Sequence, residues 1–201
     1  MRSFFFKHRG AFFVPVAILL FIAGKPNLLS FIIGFVLAVL GELIRIWGVG
    51  YAGITTRKND VEAPFLVTGG PFSYVRNPLY IGNGITGLGF VIMACGEQNI
   101  IWRSVFIVLW FLCYFGVYGM IIPYEEEFLK KEFGEPYIEY CKQVNRIFPN
   151  FKKYQNPQGS FNPEAIKEAE SRTLIQFTIF LILMSLKIIP FGPLVGKLFL
   201  S

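Results

Sequence analysis

Residues 28–47 read LLSFIIGFVLAVLGELIRIW, from Leu28 to Trp47, with no charge before Glu42. At 1.5 Å per residue, such a helix rises about 30 Å, the thickness of a bilayer's hydrocarbon core. The stretch is therefore read as a membrane span. Glu42 and Arg45 stand three residues apart near its end. That spacing suits an interfacial ion pair, or else a polar path through the membrane.

Four further apolar segments flank it, at residues 4–23, 80–95, 100–122 and 174–189. The first begins among Arg2, Lys7 and Arg9, as a signal peptide does, but no small-residue cleavage site follows before Lys25-Pro26, so a retained helix is expected. The third segment is short and Gly-rich. The fourth is expected to stop at Pro123, and the fifth to run on to Pro190 and Pro193. Asn162-Pro163-Glu164 predicts an N-cap with proline in the first turn, so the last helix starts in water at about residue 162. The expected fold is all-α: a polytopic membrane bundle of about five spans with a short amphipathic cytoplasmic segment. One domain fills residues 1–201.

Composition agrees. The chain is 54% hydrophobic with 23 Phe, against about 45–50% apolar residues in soluble domains. Lys and Arg are spread beside the apolar runs, with no nucleic-acid tract. With the N-terminus inside, Lys25, Arg103, Lys187 and Lys197 lie outside and the remaining fifteen of nineteen Lys and Arg, Arg57 and Lys58 among them, lie inside. The positive-inside rule thus predicts a cytoplasmic N-terminus. Cys95, Cys113 and Cys141 have no metal-type spacing and suit reduced thiols, and no cluster suggests a metal site. His8 reads as an ordinary interfacial residue.

Two cytoplasmic segments carry candidate chemistry. In residues 64–82, PFLVTGGPFSYVRNPLYIG, Gly69-Gly70-Pro71 forces a turn and Asn77-Pro78 predicts a helix cap. Amides at that helix start, beside Arg76, suit an anionic group; a plain cap with one interfacial Arg suits the same residues. In residues 125–149, Leu129, Phe133, Tyr137, Tyr140, Val144 and Phe148 recur at helical spacing, and Gly134-Glu135-Pro136 breaks the run into two short helices. Glu125, Glu126 and Glu127 suit a helix start by charge alone, and the whole suits an amphipathic pair on the membrane surface.

Taken together, the segments resemble the isoprenylcysteine carboxyl methyltransferase family and related phospholipid methyltransferases. Leu66-Val67, Gly70, Phe72, Arg76-Asn77-Pro78, Tyr80 and Gly82 fall on one family motif. Glu125-Glu126, Leu129, Phe133-Gly134, Tyr137, Tyr140, Arg146 and Pro149 fall on the other, and the resemblance covers about residues 28–150. It implies a membrane enzyme that moves a methyl group from S-adenosylmethionine to a lipid or lipid-linked acceptor. Phe65, Leu66, Val67, Phe72, Asn77, Pro78, Leu79, Tyr80 and Glu125 would hold the cofactor. Arg76 and Glu126 would be catalytic, and Ile121 and Arg146 would face the acceptor. Three departures are expected to matter: Asn77 stands where the family's best-known members have His, Phe72 replaces a Tyr, and Ile121 replaces an Arg suited to an acceptor carboxylate. A lipid amine or hydroxyl therefore becomes the favoured acceptor over a prenylcysteine. An NADPH-dependent lipid reductase and a non-enzymatic scaffold or transporter are the other readings.

Overall fold

The computed structural model describes residues 2–53, 61 and 63–188. Arg57, Lys58, Ile189, Pro190, Pro193 and Lys197 lie outside them. Seven α-helices occur among the described residues: α1 (Arg2–Lys7), α2 (Val14–Ala23), α3 (Leu28–Ala52), α4 (Pro78–Ala94), α5 (Ile100–Phe133), α6 (Glu135–Gln143) and α7 (Pro163–Leu186). The described residues contain no strand. Helices α3, α5 and α7 are long and apolar enough to cross a membrane, whereas Ala11–Ala23 and α4 are shorter apolar helices. The protein is an integral membrane helix bundle.

Three expectations need correction. Residues 4–23 do not form one helix. The chain breaks after Lys7 and re-enters through a 3-10 turn at Ala11–Phe13 before α2. At the break, Arg9 folds back to donate to Phe6 O at 2.8 Å, with its guanidinium over the Phe6 ring. Pro123 does not end α5, which continues to Phe133. Proline removes one backbone bond, but side-chain contacts from Glu125, Glu126 and Glu127 to Tyr80, Arg76 and Arg2 hold the following turns in line. Those three Glu therefore sit inside a helix, not at its start. The true break comes at Gly134, whose φ of 57° suits glycine, and α6 follows at once.

Helices α3 and α4 make the central seam, and glycine sets its spacing. A Cβ added at Gly34 would meet Gly89 O at 2.4 Å, and one at Gly41 would meet Thr86 N at 2.5 Å. Backbones in lipid associate through such close packing, because lipid tails give no hydrophobic drive between helices. Asn27 and Ser30 cap α3 reciprocally: Ser30 N donates to Asn27 Oδ1 at 2.9 Å and Asn27 N to Ser30 Oγ at 3.0 Å. Helix α7 begins at the predicted cap, where Asn162 Oδ1 accepts from Glu164 N at 3.0 Å. It lies along α3 through buried Ala165 and Ala169, and it closes the apolar core through Phe180 and Met184.

The seam predicts its own weak point. Gly89→Val would drive a branched side chain into the α3 backbone. A loss of at least about 1–3 kcal/mol is expected, the usual cost of overpacking, read as a lower melting midpoint in detergent. Gly116→Ala, in open space, should leave the midpoint unchanged.

Candidate active site

Residues 68–76, which precede α4, are tied by backbone bonds to residues 145–158. Thr68 N and Gly69 N donate to Gln158 O at 3.1 and 2.8 Å, and Gln158 N donates to Thr68 Oγ1 at 2.8 Å. Arg76 N donates to Asn145 O, Asn150 N to Tyr74 O and Tyr154 N to Ser73 O. The chain before α7 is thus a strap across the segment that precedes α4. Beneath them lies a pocket lined from α1, α3, α4, α5, α6, α7 and this segment.

All nine residues expected to hold a cofactor line that one pocket: Phe65, Leu66, Val67, Phe72, Asn77, Pro78, Leu79, Tyr80 and Glu125. Arg76 and Glu126 line it as well. Arg146 does not, but its guanidinium pairs with Glu126 at the rim. Ile121 also does not: it is fully buried in an apolar cluster with Phe6, Tyr80, Val117, Tyr118 and Ile122.

At the rim, Glu126 collects charge. Arg76 approaches one carboxylate oxygen at 3.1 Å while Arg146 takes the other. The hydrogen bond that Arg146 donates to Glu126 holds its guanidinium above its ordinary range. Arg76 Nη1 also donates to Cys141 O at 3.2 Å. Asn77 precedes α4 as expected, yet its side chain makes no cap. The amide instead donates to Arg146 O at 3.1 Å and reaches toward Glu126 at 3.5 Å, because these acceptors from the far side of the pocket outcompete the local turn. Behind them Tyr137, Tyr140 and Val144 pack with Leu66, Leu129 and Phe133. Tyr140 donates to Phe72 O at 2.6 Å. Burial pushes the Tyr137 and Tyr140 hydroxyls well above their usual range, so both stay protonated. Phe148, expected on the same apolar face, points away from it and is exposed.

Deeper in, Tyr80 donates to Glu125 Oε1 at 2.6 Å and its ring lies 4.7 Å from that of Tyr118. Tyr118 accepts from Asn83 Nδ2 at 2.8 Å, and Asn83 Oδ1 accepts from Arg45. Arg45 then meets both oxygens of Glu170 at 2.8 and 2.9 Å, with Glu42 3.5 Å away. Glu170 is wholly buried and lines the pocket with Arg45 and Asn83. Reading Glu42 and Arg45 as an interfacial pair missed this third partner on α7. The available signal was Ala165, Ala169 and Glu170 together, small residues that permit close approach beside one charge. Phe6 and Arg9 also reach the pocket from a segment that reads as generic.

The family model for phospholipid methyltransferase matches residues 29–136. The match includes Arg76, Asn77, Tyr80, Tyr118, Glu125 and Glu126, whereas Arg9, Tyr137, Tyr140, Arg146 and Glu170 fall outside it. The chain is 31% identical over 121 residues to a probable protein-S-isoprenylcysteine O-methyltransferase of Oryza sativa, covering 58% of this chain and 60% of the relative. It is 32% identical over 117 residues to protein-S-isoprenylcysteine O-methyltransferase B of Arabidopsis thaliana, covering 55% of each. It is also 32% identical over 134 residues to the cobalt-zinc-cadmium resistance protein CzcN of Cupriavidus metallidurans, covering 65% of this chain and 53% of the relative. The matches therefore span 53–60% of the length of these relatives. No solved structure matches at a significant level.

The Arg45–Glu170 pair, in which one guanidinium nitrogen contacts both carboxylate oxygens, predicts a stability effect of α7 on the pocket. Glu170→Ala leaves a buried guanidinium short of its strongest partner, and a loss of about 3 kcal/mol is expected. Replacing both residues, as Arg45→Met with Glu170→Met, should recover part of it. Denaturation in detergent checks both; equal losses for the single and double variants would contradict the coupling.

Proposed function

The chain belongs to the phospholipid methyltransferase family, and from that premise we propose that it transfers a methyl group from S-adenosylmethionine to a lipid or lipid-linked acceptor at the cytoplasmic membrane surface. The observation that supports the reading is the convergence, on a single pocket, of Phe65, Leu66, Val67, Phe72, Asn77, Pro78, Leu79, Tyr80 and Glu125 with Arg76 and Glu126. These residues come from segments about 50 positions apart in the chain.

The lining suits the proposed ligand. S-adenosylmethionine supplies an electrophilic methyl on a sulfonium, and it carries an amino-acid tail and an aromatic base. Phe72 and Tyr80 offer ring faces and Glu125 a carboxylate, both of which favour a cation. Phe65, Leu66 and Val67 offer apolar surface and backbone groups to a base. Arg76 lines the pocket next to Glu126 and suits the carboxylate of the cofactor's tail. Methyl transfer asks little of acid or base. It asks for alignment and exclusion of water, which the strap and α6 provide by covering the helix ends. In this reading Asn77, lacking a base, positions Glu126 and the Arg146 carbonyl.

The acceptor follows from charge. Ile121 presents no cation and is sealed among apolar side chains, Arg146 lies outside the pocket lining and pairs with Glu126, and Arg76 is taken in this reading by the cofactor's carboxylate. An acceptor carboxylate buried there without a partner would be costly. A lipid amine or hydroxyl fits better.

Four outcomes are expected. Calorimetric titration in detergent should show binding of S-adenosylmethionine and none of NADPH; the reverse would favour a reductase. Glu125→Gln or Tyr80→Ala should weaken S-adenosylmethionine binding by about tenfold to a hundredfold through loss of a charge-assisted bond, with the fold intact. In a tritiated-methyl assay, total lipid extract should accept more label than farnesylcysteine, and robust ester formation on farnesylcysteine would overturn the acceptor assignment. Cysteine labelling at Lys152 should report the cytoplasmic side and at Asn27 the other.

A further inference from the structure

Phe148 and Phe151 are 81% and 98% exposed, on the loop that joins α6 to the strap. The loop does not present them by fraying. Asn150 N donates to Tyr74 O at 2.7 Å, Asn150 Nδ2 to Gln143 O at 2.9 Å, and Lys152 N to Asn150 Oδ1 at 3.2 Å. Two large rings are thus held outward by a braced backbone. Water is a poor solvent for them, and full exposure of neighbouring aromatics marks a contact surface.

Charge and position identify what covers them. Residues 144–162 contain Arg146, Lys152 and Lys153 and no acidic residue, and both lysines are exposed. The loop is also continuous with the lipid-facing side of the bundle. Tyr74, whose carbonyl receives Asn150, has its ring 6.4 Å from that of Trp47. Trp47 is 44% exposed and ends an apolar groove with Leu40, Leu43 and Ile44 on α3. A half-exposed Trp at the end of an apolar span sits at the bilayer interface. The stripe from α3 through Trp47 and Tyr74 therefore leads onto the Phe148–Phe151 loop at interfacial depth.

We propose that residues 146–153 form an interfacial anchor in which Phe148 and Phe151 enter the upper acyl layer while Lys152 and Lys153 bind acidic phospholipid headgroups. Aromatic side chains beside lysines are the composition of such interfacial contacts. The same loop carries the backbone bonds to Ser73 and Tyr74, next to pocket-lining Phe72. Lipid contact thereby steadies the segment that roofs the pocket.

The test uses the full-length protein in vesicles and needs no enzymatic activity. Phe151→Trp, and separately Phe148→Trp, adds one fluorophore at an exposed position, with the signal of Trp47, Trp102 and Trp110 subtracted from the parent protein. The added emission is expected to be blue-shifted and quenched more by lipids brominated near the headgroup end of the acyl chain than near its tail. Brominated acidic lipid diluted in zwitterionic lipid should quench more than brominated zwitterionic lipid at equal fraction. Lys152→Gln with Lys153→Gln should remove most of that excess, since each basic residue near an acidic surface is worth about fivefold. Emission at the water-exposed wavelength with no quenching by either lipid would overturn the anchor, and would leave a protein partner as the occupant. Equal quenching by acidic and zwitterionic lipid would overturn the headgroup assignment.

Discussion

Gly34 and Gly41 on α3 face Gly89, Thr86 and Gly82 on α4 so closely that backbone meets backbone. Other contacts depend on that approach. A Cβ at Gly82 would meet Arg45 Cγ at 2.6 Å, so the Arg45 side chain runs across bare α4 backbone to reach Asn83. There Arg45 meets Glu170 on α7, a helix that packs along α3 and buries Ala165 and Ala169. Small residues set the distances, and the charged groups then bridge them.

Two polar assemblies divide the pocket. At the rim, Arg76 and Arg146 share Glu126, and Asn77 fills the gap between that carboxylate and the Arg146 carbonyl. In the interior, a chain of contacts runs from Glu170 through Arg45, Asn83, Tyr118 and Tyr80 to Glu125. Each group is fixed by a partner on another helix, so the charges are held before any ligand arrives. Such preorganisation is what an alignment-dependent reaction needs. The interior set also draws α7 into the site, although that helix lies outside the family match.

The strap between α6 and α7 serves both sides of the protein. Its backbone ties down the segment beside the pocket, while Phe148, Phe151, Lys152 and Lys153 are exposed. In the proposed function, such a site would admit a soluble methyl donor from one side and an apolar acceptor from the other.

The sequence by itself determined the long spans, the Asn162 cap of α7 and the break at Gly134, while the expected cofactor residues came from the family resemblance. These are local signals: apolar runs matched to bilayer thickness, and turn chemistry at particular residues. It misjudged Pro123, the unity of residues 4–23 and the Asn77 side chain, because a proline or cap propensity is worth only a few kcal/mol and distant partners outweigh it. Tertiary structure alone decided that Glu170 pairs with Arg45, 125 positions away, and that Ile121 faces an apolar cluster. It also decided that Phe6 and Arg9 reach the pocket. A charge on one helix finds its partner through helix rotation and spacing, and those are fixed by packing between chain segments that share no local pattern.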